Sequence, residues 1–146
     1  MTTNPLSLQT QARTGYTHEV VIDHSDFTAA TNVQTFTVDV KAGQAVGKAF
    51  HRLVEDFDSS DATLTSLLYI VGDGGSTNRF LTSTQVSVDG TEVDYKAGAL
   101  SDVYVYTADD TIDIAFTGTS AKLLSTVNAG KLRILLQIID SADFAD

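Results

Sequence analysis

The sequence holds no cysteine and no tryptophan, one proline and one methionine. Lack of cysteine excludes disulfides, zinc–thiolate sites, iron–sulfur clusters and thiol nucleophiles together. The fold must stand without cross-links, and 146 residues suffice for one domain that buries roughly 70% of its unfolded surface. Basic residues are scarce as well: nine Lys and Arg face nineteen acids, a formal charge of −10. The cations are scattered and form no stripe, so nucleic acid is not an expected partner, and an anionic membrane surface would repel the chain. No apolar run approaches the roughly 20 residues that cross a bilayer, and no basic segment leads into an apolar stretch as in a secretory signal. Cytosolic synthesis is the expectation.

What is abundant is aspartate. Glutamate occurs only at Glu19, Glu55 and Glu92. Asp favours turns and is poor in helix interiors, so the composition leans towards β-structure. Residues 1–15 are mostly Thr, Asn, Gln and Ser, with Leu6, Leu8 and Ala12 as apolar punctuation and the one proline at Pro5. Such a segment buries too little to fold alone, and it reads as an extended N-terminal arm, either frayed or ordered on a neighbouring subunit. Residues 16–140 read as the folded domain and 141–146 as an acidic tail.

From Tyr16 onward, period-two alternation dominates. Thr35 to Val40 sets Phe36, Val38 and Val40 on one face and Thr and Asp on the other, a half-buried antiparallel strand. Lys41-Ala42-Gly43 then turns the chain. Leu64 to Val71 is a nearly continuous apolar run closed by Gly72-Asp73-Gly74-Gly75, a buried strand ending in a loop. Val86-Ser87-Val88 and Val93/Tyr95 flank Asp89-Gly90 at hairpin spacing, and Val103–Tyr106 and Thr111–Phe116 flank Asp109-Asp110 in the same way. Lys131 to Ile139 is apolar on both faces, with Ile134, Leu136 and Ile138 opposite Leu135 and Ile139. Ala45 to Phe57 has apolar residues at helical spacing, but Gly47 and the Asp56–Asp61 cluster favour a long bent strand. Ser120 to Asn128 has the marks of a short helical turn, with Ser120 as its cap and Gly130 as its end. About eight short strands with Gly and Asp turns predict an all-β, antiparallel, jelly-roll-like sandwich.

Chemistry-bearing groups do not assemble in the sequence. His18 and His24 lie six positions apart on one predicted strand, roughly 20 Å, too far to share an ion, and His51 has no ligand partner nearby. Asp56-Phe57-Asp58-Ser59-Ser60-Asp61 begins like a calcium loop, yet Asp61 stands where glycine is needed and Leu67 where glutamate is needed. Gly72 to Thr77 lacks the Gly-Lys-Ser/Thr ending of a phosphate loop, and there is no Gly-x-Ser-x-Gly elbow. Asp109-Asp110 is hairpin chemistry rather than a catalytic carboxylate pair. No catalytic residue, metal ligand or cofactor is expected. Tyr104 and Tyr106, with Tyr95 and Tyr69 near them, leave a glycan-stacking face or a protein interface open.

Two stretches carry a resemblance. Leu67-Leu68-Tyr69-Ile70-Val71-Gly72-Asp73, returning through Arg79-Phe80-Leu81, resembles a strand, turn and return strand of small β-sandwich virion proteins of tailed bacteriophages. Leu124 to Ile134, with Ala129-Gly130 leading into the last strand, is similar to another part of the same proteins. Tyr16 to Val21 and Asp26-Phe27-Thr28 fit the same pattern. The resemblance covers most of residues 16–140 and implies a capsid decoration, or cement, protein. Such a protein would bind the outside of the shell, reinforce contacts between major capsid protein subunits, and carry no active site. The capsid-contact candidates are then Pro5, Leu6 and Leu8. Because one sandwich covers one face of each strand, the leftover apolar positions Tyr104, Tyr106, Leu135 and Ile139 become candidates for a dimer or trimer interface. A receptor- or glycan-binding module of a tail fibre or adhesin is the alternative.

Overall fold

The computed structural model describes residues 1–86, 92–98 and 103–140. In chain order the elements are β1 (Thr2–Pro5), α1 (Leu8–Thr14), β2 (His18–Asp23), β3 (Val33–Val40), β4 (Gln44–Ser59), β5 (Leu67–Asp73), β6 (Ser76–Gln85), β7 (Tyr95–Ala97), β8 (Tyr104–Val105), β9 (Asp110–Gly118) and β10 (Val127–Asp140). One sheet has the order β1-β2-β10-β4-β7, with β8 also on β4, and the other has β3-β9-β5-β6. Both are antiparallel, and they stack as a sandwich.

The pairings reveal a single plan. β2 pairs with β10, β3 with β9, β4 with β8, and β5 with β6. These are the rungs of one long hairpin whose tip is the Gly74-Gly75 turn between β5 and β6. Rolling that hairpin puts successive rungs in alternate sheets, and new ladders then form between β10 and β4 and between β9 and β5. The result is a jelly roll, as the sequence predicts.

This plan overturns one expected hairpin. Val103–Tyr106 does not pair with Thr111–Phe116: Tyr104 lies opposite Val46 and Val105 opposite Ala45, whereas β9 sits in the other sheet. The Asp109 region carries the chain between sheets instead of reversing it. The Asp109 carboxylate accepts from Lys41 Nζ at 2.9 Å and from the Ala42 amide at 3.0 Å, tying this crossing to the β3–β4 turn. Of the other expected hairpin, Ser87 to Gly90 lie outside the described residues, and Tyr95 pairs with Arg52 of β4.

β4 is the predicted long strand. Its helix-like spacing has a physical origin in bulges, because register slips beside Gly47 and again between Leu53 and Asp58 break strict alternation. Residues Val46, Ala49, His51, Leu53 and Phe57 reach the core as a result. At Gly47 a Cβ would collide with the Gln137 side chain of β10. β10 buries Val127, Leu132, Ile134, Leu136 and Ile138 and leaves Leu135 and Ile139 half-buried on its outer face. Of the turn predicted over Ser120 to Asn128, a single 3-10 turn forms at Leu124–Thr126. It has no side-chain cap, and Gly130 lies inside β10. Phe27 anchors the aromatic centre of the core, meeting Phe116 edge-on at 5.0 Å, Phe57 at 5.5 Å and Phe36 at 5.6 Å.

The N-terminal segment lies on this body. β1 runs along the β2 edge from Thr2 opposite Val21 to Pro5 opposite His18, and the Met1 amine meets Asp26. Leu8–Thr14 is helical rather than extended, capped by Ser7 and ended by Gly15 in the left-handed conformation. Every β1 residue is exposed, and α1 buries none. A fully buried Leu or Ile contributes roughly 1.5–3 kcal/mol. The buried side chains of β10 therefore far outnumber those of residues 1–14, of which Met1 packs partly buried against the core.

Candidate functional site

The outer face of the β1-containing sheet carries the most developed surface feature. β4 and β10 set Phe50 opposite Leu135 and Arg52 opposite Arg133, because residues two apart share a face. Leu6, entering α1, closes one side. Leu6, Phe50 and Leu135 make the apolar lining of a cleft of about 250 Å³, with Thr10, Glu19, Arg52 and Arg133 around them. Arg133 Nε donates to Glu19 Oε1 at 2.6 Å, so its charge is neutralised locally. Arg52 is exposed, and no ion pair engages it among the described residues. Phe50 also meets Tyr16 at 6.2 Å and Tyr95 at 6.4 Å, an open aromatic row across the face. Lys48 Nζ sits 4.5 Å above the Tyr16 ring and donates to the Thr14 carbonyl at 3.2 Å, pinning the end of α1.

The predicted contact residues divide between this cleft and other places. Leu6 and Leu135 meet in it. Pro5 is exposed on the β1 edge, and Leu8 is 82% exposed at the start of α1. Ile139 is on the same outer face, opposite Ala45. Tyr104 and Tyr106 pack edge-on at 5.0 Å, but only Tyr104 reaches the surface. Tyr106 is 3% exposed, so it is not available as an interface residue. Its hydroxyl donates to Asp73 at 3.3 Å.

That contact belongs to a buried ionic knot. Asp73, itself 1% exposed, accepts from Arg79 Nε at 2.7 Å and from the Gly75 and Ser76 amides at 2.9 and 2.8 Å. Burial pushes the Asp73 carboxyl up, but the Arg79 guanidinium and these amides outweigh it and hold it below its ordinary value. The guanidinium lies 3.7 Å over the Tyr104 ring. Burial and the Asp73 charge raise the Tyr106 hydroxyl well above 10. The knot joins the hairpin tip in one sheet to β8 in the other, which is a structural task.

Sequence reading missed a second buried pair. His51 of β4 and Tyr69 of β5 bond across the sandwich, and the other ring nitrogen of His51 reaches the Val93 carbonyl. Alternation around Ala49, His51 and Leu53 was the available signal, since His51 shares their inward parity. Tyr69 and Tyr106 are buried while Tyr95 is 61% exposed on a different sheet face, so the four tyrosines form no common stacking face. His18 lines a cleft of about 460 Å³ at the open edge with Thr3, Asp39 and Gln44. His24 leaves the strand and sits in a turn, 3.0 Å from Asp23. In the Asp56–Asp61 run, Asp61 accepts from the Thr63 amide and hydroxyl. No group of three or more potential metal ligands occurs among the described residues.

No protein-family model matches the chain, and no curated protein matches it. Among solved structures, a chain of the Cyanophage Pam1 capsid asymmetric unit superposes with a TM-score of 0.53 at 19% identity, covering 81% of this chain and 77% of that one. The likeness is one of fold. A chain from an acidic stable capsid structure of Helicobacter pylori bacteriophage KHP30 aligns more loosely, with a TM-score of 0.41 at 16% identity over 83% of this chain and 96% of that one.

Proposed function

We propose that the protein is a non-enzymatic structural component of a bacteriophage virion. It decorates the outer capsid surface and braces contacts between major capsid protein subunits. The observation that carries this reading is the jelly roll shared with a chain of a phage capsid asymmetric unit. Exposed apolar side chains at Leu8, Val33, Leu68, Val103 and Val105, set among exposed acids, offer points of contact for a neighbouring subunit. The lightly held segment over Thr2–Thr14, with Pro5, Leu6 and Leu8, is the element suited to reach a capsid subunit. Leu135, Ile139 and Tyr104 are the positions for contact between copies in a dimer or trimer. Synthesis is in the host cytoplasm and residence is on the particle.

Mass spectrometry of purified particles tests this, with the chain expected in many copies. The chain lacking residues 1–14 should stay folded and fail to rebind particles stripped of it. Absence of the chain from particles, or undiminished rebinding without the segment, overturns the reading.

A further inference from the structure

The cleft beside α1 is an apolar pocket with one cation that no ion pair engages among the described residues, in a chain whose net charge is −10. Its floor is Phe50 and Leu135, its side wall is Leu6, and Arg52 stands at its rim without an ion-pair partner among the described residues. A matching occupant is an apolar anchor bracketed by carboxylates. The chain itself carries one: residues 141–146 read Ser-Ala-Asp-Phe-Ala-Asp, with Phe144 between Asp143 and Asp146. We infer that this cleft receives the C-terminal segment 141–146 of a second copy of the chain. Phe144 would lie against Phe50 and Leu135, and a flanking aspartate would meet Arg52.

Distances favour the second copy over the same chain. Asp140 is the last residue of β10, five positions beyond Leu135, which is roughly 17 Å at strand rise. The four residues from 141 to Phe144 span at most about 14 Å when fully extended. They would also have to reverse over Gln137, where Gly15 and the Lys48–Thr14 contact already lie. A neighbouring copy meets neither obstacle. The inference does not depend on the virion reading, because it concerns contact between copies of this chain alone.

Sedimentation of the full chain, of the chain ending at Asp140 and of Phe144→Ala tests it. The full chain should self-associate. Phe144→Ala should weaken association roughly ten- to hundredfold, the loss expected when one aromatic side chain is no longer buried, and the shortened chain should be monomeric. Both variants alter only the tail, so circular dichroism should be unchanged. In parallel, the hexapeptide Ser-Ala-Asp-Phe-Ala-Asp is titrated into the shortened chain while backbone amide resonances are followed by NMR. The expected shifts cluster at Phe50, Arg52 and Leu135, and Arg52→Glu should weaken the binding. Equal association of full and shortened chains, or peptide shifts elsewhere, overturns the inference. So does a full chain that stays monomeric while its shortened form binds the peptide, because the tail would then dock in its own chain.

Discussion

His51 makes stability below neutral pH a direct test of the sandwich's interior. Its side chain is fully buried, with one ring nitrogen on Tyr69 and the other on the Val93 carbonyl. A carbonyl only accepts, so Nε2 carries the proton and Nδ1 accepts from the Tyr69 hydroxyl. A second proton on the ring would make the Tyr69 hydroxyl turn and accept, leaving its own proton without this partner in a buried site. Burial is also the main cause that lowers the His51 pKa, so the fold favours the neutral ring. The sign follows. Above about pH 6.5, where an unfolded histidine is neutral, the network contributes in full. As pH falls below that, the unfolded chain takes up the proton first. Stability then drops by up to about 1.4 kcal/mol per pH unit, until the folded ring is protonated as well. Burial lowers the His18 pKa too, adding a slope of the same sign. His51→Gln keeps a donor and an acceptor but no titration, so it should remove one proton's worth of slope. Urea unfolding followed by far-UV circular dichroism between about pH 5 and 8 measures the difference. Other groups cancel in the comparison. Identical slopes for the two proteins would refute the argument.

Two further outcomes follow from the geometry. Asp73→Asn leaves the Arg79 guanidinium beside a neutral amide in a buried site, and should cost about 3 kcal/mol, read as a lower urea midpoint with unchanged slope; a change under about 1 kcal/mol would mean that water reaches the knot. Gly130→Ala places a Cβ against the Phe57 ring and backbone at a φ of +116°, and should cost about 1–3 kcal/mol in the same assay, whereas Gly74→Ala, with open space around it, should be nearly neutral.

The candidate site was legible to the extent that it depends on strand parity. Parity alone puts Leu135 and Ile139 on the face opposite Ile134, Leu136 and Ile138, and the structure leaves these two half-buried on the outer face. It could not say what lies against Leu135. Phe50 is 85 residues earlier, and its outward direction depends on the slip at Gly47, which resets the faces of β4. The same limit applies to the tyrosines. Tyr104 and Tyr106 do share a strand face, as the spacing requires, but the spacing does not reveal that this face meets Asp73 and Arg79 from the other sheet.

The failed hairpin has the same cause at the level of topology. Short loops rich in Asp bias a reader towards pairing each strand with its neighbour in sequence, because local reversals are entropically cheap. In this chain only β5 and β6 obey that bias among the four rungs. The remaining rungs join strands progressively further apart, up to β2 with β10, where Val20 lies opposite Ile134. Asp109-Asp110 is chemically suited to a turn and does turn the chain, but Asp109 is held by Lys41 and Ala42, which sit at the matching corner of the β3–β4 connection. Both strands of the long hairpin bend together at this corner, and the exposed Asp109 contacts tie the two bends to one another. A turn residue fixes only that the direction changes. Whether the chain folds back on itself or crosses to the opposite layer follows from the strands it pairs with, β4 for β8 and β3 and β5 for β9, which no local window of sequence contains.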